Sequence, residues 1–330
     1  MNSPELVESI LTVKDLTTSL RLSGATSPIT IVDRMSFNLQ KGKTLALVGE
    51  SGCGKSMTAL SLMRILPRPE ALPSTGEVIY RGQNLLKLSE KEMRKIAGGK
   101  IAMIFQDPTT ALNPVFTIGN QLMEVANLHL NLFGNAALER VMMALKEVGI
   151  PDPKARVNAY PHQLSGGMKQ RAMIAMALMC EPDVLIADEP TTALDVTIQA
   201  EVLALIASLQ RKNHMATLLI THDMGVVAEM ADEVIVMYAG QAVESGSVQK
   251  IFDEKAHPYT QELFASRSSI HVPKARLHTI KGEVPSPSHL PRGCRFHPRC
   301  PFAFEKCFAG DVPNFIVNED VDHLSRCWLS

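Results

Sequence analysis

Gly49-Glu50-Ser51-Gly52-Cys53-Gly54-Lys55-Ser56 fits the pattern G-x-x-x-x-G-K-[ST] and follows directly on the apolar run Thr44-Leu45-Ala46-Leu47-Val48. An apolar run that short, closed by glycine, predicts a buried parallel strand, with a helix starting near Lys55. Strand, glycine turn and helix in that order commit the chain to an α/β fold. Gly49, Gly52 and Gly54 let the backbone curl tightly with its N–H groups turned inward, where they and the helix start cradle phosphates. Lys55 supplies a point charge to the β- and γ-phosphates, and Ser56 a hydroxyl for Mg²⁺. Glu50, Ser51 and Cys53 complete the loop and Met57 follows it, so Gly49 to Met57 is the expected contact with a nucleoside triphosphate.

Downstream, Leu185-Ile186-Ala187-Asp188-Glu189 closes an apolar run with two carboxylates. Asp188 is expected to project from the sheet edge toward Mg²⁺ and to reach it through water, since Mg²⁺ gives up its hydration reluctantly. Glu189, one residue further, points elsewhere and suits general-base positioning of an attacking water. Ile10–Val13, Ile29–Val32, Ile101–Phe105 and Leu218–Ile220 read as further strands, with a turn from Ser23 to Pro28. Glu233–Met237 and Gln241–Glu244 read as a closing hairpin. Between about 107 and 177 the pattern becomes mostly helical, broken by Gly134, Gly149 and the stretch Pro151 to Pro161. The expectation is a P-loop α/β domain over 1–270 with a helical insertion, and a small irregular segment over 271–330.

The 330 residues suffice for one large domain and a smaller one, and the net charge of -1 gives no reason to expect a nucleic-acid surface. No basic start followed by an apolar core opens the chain, and the apolar run Ala172 to Cys180 is far shorter than the roughly 20 residues a membrane helix needs. A cytosolic chain is expected.

Leu164-Ser165-Gly166-Gly167-Met168-Lys169-Gln170-Arg171 stands shortly before the acidic strand. With the phosphate loop, in this order and spacing, it resembles the ATP-binding subunit of an ABC transporter, over about Ile10 to Ala265. The resemblance implies a motor in which two such subunits close on two ATP molecules and move a partner that handles the cargo. It implies that Ser165, Gly166 and Gly167 close over the γ-phosphate held by the opposite subunit. By the same resemblance Gln106 is the glutamine that contacts Mg²⁺ and couples it to the helical insertion. His222 looks like the switch histidine at the γ-phosphate, and Ala193-Leu194-Asp195 like the loop crossing the dimer interface. The family commonly stacks an aromatic ring on adenine near the end of the first strand. Leu20 occupies the aligned position, so that contact is expected to be apolar or supplied from elsewhere, such as the loop around Arg21.

His257-Pro258-Tyr259-Thr260 and Gly293-Cys294-Arg295-Phe296-His297-Pro298-Arg299-Cys300-Pro301 resemble the oligopeptide/dipeptide transporter ATPases. That branch implies peptide uptake, an extracytoplasmic peptide-binding protein, two membrane permease subunits and pairing with a second, related ATPase. It also implies a peripheral position on the cytoplasmic face of the inner membrane, with the permease contact near Gln106 to Val115. An ATPase of a nickel or other small-solute importer stays open, as does a soluble ABC ATPase, although a single ATPase unit without a heptad run is unlike the latter.

Of six cysteines, Cys294, Cys300, Cys307 and Cys327 crowd the C-terminal end, with five, six and nineteen residues between them. In a reducing compartment such a group reads as metal thiolates rather than disulfides. A [4Fe–4S] cluster is the expected occupant, given varied spacing and no C-x₂-C pair. Zn²⁺ is the alternative, since four thiolates suit its tetrahedral site, and four unligated thiols are the other.

Overall fold

The structure, a computed structural model, describes residues 9–21, 27–192, 194–268 and 279–330. The chain forms two compact units. One comprises the residues up to Leu11, Leu39–Lys43 and Lys87–Leu219; the other comprises Thr12–Asn38, Thr44–Leu86 and Ile220–Ser330.

In the first unit, strands Ile101–Ile104 and Val184–Asp188 pair in parallel, Ile101 opposite Val184 and Ile104 opposite Ala187. Ala216–Ile220, all but its last residue in this unit, lies on the other side of Val184–Asp188. Every residue of these strands is buried, as uninterrupted apolar runs require when both faces of a sheet are covered. The region expected to be helical contains Pro108–Ala111, Ile118–Leu130, Gly134–Glu147, Pro153–Arg156 and Gly166–Leu178. The three long helices pack on one another. Gly134–Glu147 shows why: Ala137, Val141, Ala144 and Leu145 recur on one face and are buried.

In the second unit, strands Thr44–Val48 and Glu233–Tyr238 pair in parallel, Leu45 opposite Glu233 and Val48 opposite Val236. Gln241–Ser247 turns back antiparallel to Glu233–Tyr238 as the hairpin reading requires. A second sheet runs in the order Ile29–Gln40, Ser9–Leu20, Thr75–Tyr80, Gln83–Asn84. Its first two strands extend well past their apolar starts, because burial alternates: Met35, Phe37 and Leu39 face inward while Ser36 and Asn38 face out. Residues 23–26 of the expected Ser23–Pro28 turn lie outside the described residues.

The described C-terminal residues fall within the second unit, and part of the segment expected to be irregular is regular. Strands Phe315–Val317 and Asp320–Ser325 form a hairpin, and Asp320–Ser325 adds to Gln241–Ser247 with Glu244 opposite Ser325. Phe296 is buried in the same core cluster as Val48, Val236, Tyr238 and Tyr259. The segment is stabilised by sharing that core, so its sparse periodic apolar residues are enough.

Candidate nucleotide site

The expected site residues fall in both units. The phosphate loop and His222 belong to the second; Gln106, Ser165–Gly167, Asp188 and Glu189 belong to the first.

In the second unit, Thr44–Val48 delivers the chain to Gly49, and the helix Lys55–Met63 carries it away. Gly49, Gly52 and Gly54 all have positive φ. At Gly49 the need for glycine is also steric, because a Cβ would lie 2.2 Å from the Met237 carbonyl oxygen. Lys55 is buried, and its ammonium donates to the carbonyl oxygens of Gly49 at 2.8 Å and Glu50 at 3.0 Å. The charge is thereby held inside the curl of the loop, where a phosphate would meet it. Burial pushes the Cys53 thiol up, against the pull of the neighbouring Lys55 charge, so Cys53 is a packed neutral side chain. Ser51 is exposed and Ser56 and Met57 half-buried. His222 is exposed at the end of its strand, beside Asp223, which caps the helix Met224–Met230 by accepting from the Gly225 N–H at 2.8 Å.

In the first unit, Asp188 is buried as the last residue of its strand, and Glu189 takes φ +44°. That left-handed backbone breaks the strand's alternation and re-aims the Glu189 carboxylate; an αL glutamate is strained backbone of the kind found at functional positions. Glu189 Oε2 accepts from Gln106 Nε2 at 3.1 Å and from the Thr192 hydroxyl at 2.9 Å. The structure thus brings together Gln106 and Glu189, separated by 83 positions. Ser165 caps the helix Gly166–Leu178, its hydroxyl accepting from Met168 N–H at 3.3 Å, and Ser165 and Gly166 are exposed. The helix therefore presents an accessible N-terminus with its first N–H groups available to an anion. Asp195 caps Val196–Asn213 through the Ile198 N–H, while Ala193 lies outside the described residues.

Two residues of this neighbourhood escaped the sequence reading. Thr192 helps hold Glu189, and buried Gln170 donates to the Pro190 carbonyl at 2.5 Å, tying the Ser-Gly-Gly helix to the loop after the acidic strand. Gln170 stands between Lys169 and Arg171, so nothing in the sequence of the run singles it out as the buried one. Leu20 ends its strand half-buried and bridges to Ala71, and the Arg21 N–H donates to the Glu70 carbonyl.

Cys294, Cys300, Cys307 and Cys327 line one small cavity beside Phe296 and Trp328. Burial pushes the Cys294 thiol up to about 11, with the nearby Cys307, Cys327 and Cys300 adding to the rise, and burial raises Cys300 and Cys327 as well. His257 lines the same cavity; its Nδ1 accepts from the Tyr259 N–H at 3.0 Å and its buried Nε2 has no partner. The donor set has the softness that iron–sulfur chemistry calls for. The expectation of a metal centre is not met in the structure. Among the described residues no three His, Cys, Asp or Glu side chains form a group that could hold a metal ion, so neither the [4Fe–4S] cluster nor the Zn²⁺ alternative finds a coordination geometry there. Among the described residues, too, no helix is long and apolar enough to cross a membrane.

A P-loop, an acidic strand end and an exposed Ser-Gly-Gly helix start define a nucleotide-hydrolysing cassette. The ABC transporter family model matches residues 32–192, and the model of the oligopeptide/dipeptide transporter C-terminal region matches 243–307. The chain is 48% identical to the dipeptide transport ATP-binding protein DppD of Bacillus subtilis, over 98% of this chain and 95% of that one. It is 47% identical to DppD of Escherichia coli, over 88% and 89%. Among solved structures, a dimeric bacterial ABC transporter cassette matches with TM-score 0.62 at 25% identity, covering 72% of this chain and 98% of that one. The cbiO1 protein of Clostridium perfringens, part of an ABC transporter complex, matches with TM-score 0.61 at 28% identity, covering 75% and 92%. This chain belongs to the ATP-binding proteins of ABC transporters, in the family of the dipeptide transport ATP-binding proteins. It is an ATPase whose hydrolysis is coupled to transport.

Proposed function

We propose that the chain is the ATP-hydrolysing motor of a membrane importer for di- and oligopeptides. The observation that carries this reading is likeness to dipeptide transport ATP-binding proteins over nearly the whole chain, the C-terminal region included. The motor sits peripherally on the cytoplasmic face of the inner membrane, against two permease subunits. It pairs with a second, related ATPase, and an extracytoplasmic peptide-binding protein delivers the cargo. ATP and Mg²⁺ are the working cofactors. Lys55 and the loop from Gly49 to Met57 hold the phosphates, Ser56, Gln106 and Asp188 serve Mg²⁺, and Glu189 positions the attacking water with His222 at the γ-phosphate. Ser165, Gly166 and Gly167 act on the ATP held by the partner ATPase, so hydrolysis waits for closure of the pair. Val115 and Phe116, nine and ten positions after Gln106, are exposed and support a permease contact on this segment. The ATP chemistry lies within 1–270, with the helical insertion at about 107–177, and 271–330 supplies a metal-binding or regulatory part.

The complex purified with its genomic neighbours and reconstituted in liposomes tests this. ATPase activity should rise with binding protein loaded with peptide. Stimulation by nickel and not by peptide would assign the chain to the small-solute alternative.

Within this reading the four cysteines, which line one cavity without forming a ligand group, would have to draw together to hold a [4Fe–4S] cluster; the shared cavity and the apolar walls of Phe296 and Trp328 support that role. When bound, such a cluster supplies a structural or redox-sensing centre. Cys294 must then give up a proton that burial makes it hold tightly, so loading should be slower at lower pH. Anaerobically purified protein should be brown with about four irons per chain. Colourless protein with stoichiometric zinc would overturn this.

A further inference from the structure

Both motifs that mark the C-terminal region reach the phosphate loop, and they meet on a single residue. The Glu50 N–H donates to the Tyr259 hydroxyl at 2.8 Å. The Glu50 carboxylate receives a two-pronged contact from Arg299, Nη1 to Oε2 at 2.6 Å and Nη2 to Oε1 at 3.0 Å. The Glu50 carbonyl accepts from Lys55 Nζ. Every polar group of this residue is therefore engaged, two of them by a part of the chain more than two hundred positions away.

The two anchors are themselves fixed. The Arg299 side chain is only 4% exposed, its Nε donates to the Lys281 carbonyl at 2.9 Å, and its guanidinium lies over the rings of Tyr238 and Phe296. Burial opposes its charge, but the hydrogen bonds it donates to Glu50 and Tyr238 and the nearby Glu50 charge together outweigh that, so Arg299 stays firmly cationic. Tyr259 is fully buried, with its ring 4.6 Å from that of Tyr238 and 5.3 Å from that of Phe296. Its own N–H is held by His257, whose N–H in turn donates to buried Glu244 at 2.9 Å. A rigid aromatic wall thus carries one hydroxyl acceptor and one planar cation to the same loop residue. A bidentate arginine–carboxylate contact fixes orientation as well as distance.

We propose that Tyr259 and Arg299 are positioning residues of the nucleotide site. By gripping Glu50 at its N–H and its carboxylate, they hold the loop in the curl that aims its N–H groups and Lys55 at phosphate. Pre-paying that ordering is what lets ATP bind without the cost of folding its own cradle. The proposal rests on the ATPase reading.

The test compares wild type with Tyr259→Phe, Arg299→Lys, Arg299→Gln, Glu50→Gln and the Glu50→Gln/Arg299→Gln pair, all as full chains in the reconstituted complex. The readouts are MgATP affinity, KM for ATP, kcat at saturating ATP and melting temperature. Loss of a charge-assisted contact should raise KM by about tenfold in Arg299→Gln and Glu50→Gln, and loss of the single hydroxyl by about threefold in Tyr259→Phe. Arg299→Lys should fall between wild type and Arg299→Gln, because it keeps the charge and loses the fork. The kcat should stay within about twofold, since only loop ordering is lost. The pair should be no worse than the worse single variant, as for two halves of one interaction. Unchanged KM in Tyr259→Phe and Glu50→Gln, with only the melting temperature lowered, would overturn the proposal, as would additive effects in the pair. A wild type without MgATP affinity would take down the ATPase reading too, whereas variants matching an ATP-binding wild type take down this proposal alone.

Discussion

Glu189 combines a left-handed backbone with a carboxylate held by Gln106 and Thr192. Such a backbone costs about 1–3 kcal/mol, and it points the carboxylate away from the line of buried Asp188. Glu189→Gln keeps the shape and the contact from Thr192 but removes the carboxylate to which the proposed reading gives the role of base. It should bind MgATP as wild type does while turnover in the assembled complex falls by about 100-fold or more. Near-normal turnover would remove Glu189 from the role. At this scale the sequence is informative where one residue type is forced by local backbone. Gly49, Lys55 and Ser56 are legible because a curled loop before a helix permits little else. Glu50 is not legible: its partners Tyr259 and Arg299 stand 209 and 249 positions away, and nothing in the loop itself encodes them.

The strand Thr44–Val48, its loop and the helix Lys55–Met63 act as one element, clamped where Gly49 passes under Met237. Gly49→Ala would push a Cβ to 2.2 Å from the Met237 carbonyl while also opposing the positive φ. The parallel pair must part or the loop must uncurl, at a cost of about 2 kcal/mol or more. The expected result is a lower melting temperature together with lost MgATP binding, read by thermal unfolding with and without nucleotide. Elements that are buried on both faces, such as Thr44–Val48, Ile101–Ile104 and Val184–Asp188, could be read from their unbroken apolar runs. The hairpin Phe315–Val317/Asp320–Ser325 could not. Its strands are short, and its turn places Asn318 and Glu319 at positive φ without the glycine that usually advertises such a turn.

At the scale of the whole molecule, the Ser165–Gly167 helix start is accessible, and the proposed reading sets it against the ATP of a second ATPase. ATPase and transport by the permeases should therefore require that partner. Full activity with this chain as the only ATPase present would show that it pairs with itself.

The grip on Glu50 also has a consequence for the order in which a ribosome makes this protein. The loop is polymerised early, but Arg299 follows Ser56 by 243 positions. At about 5–20 residues per second that is roughly 12–49 s of synthesis. Until Tyr259 and then Arg299 emerge, the nascent chain carries a phosphate loop with nothing holding Glu50. The growing polypeptide would thus hold ATP about tenfold more weakly until Arg299 has been made.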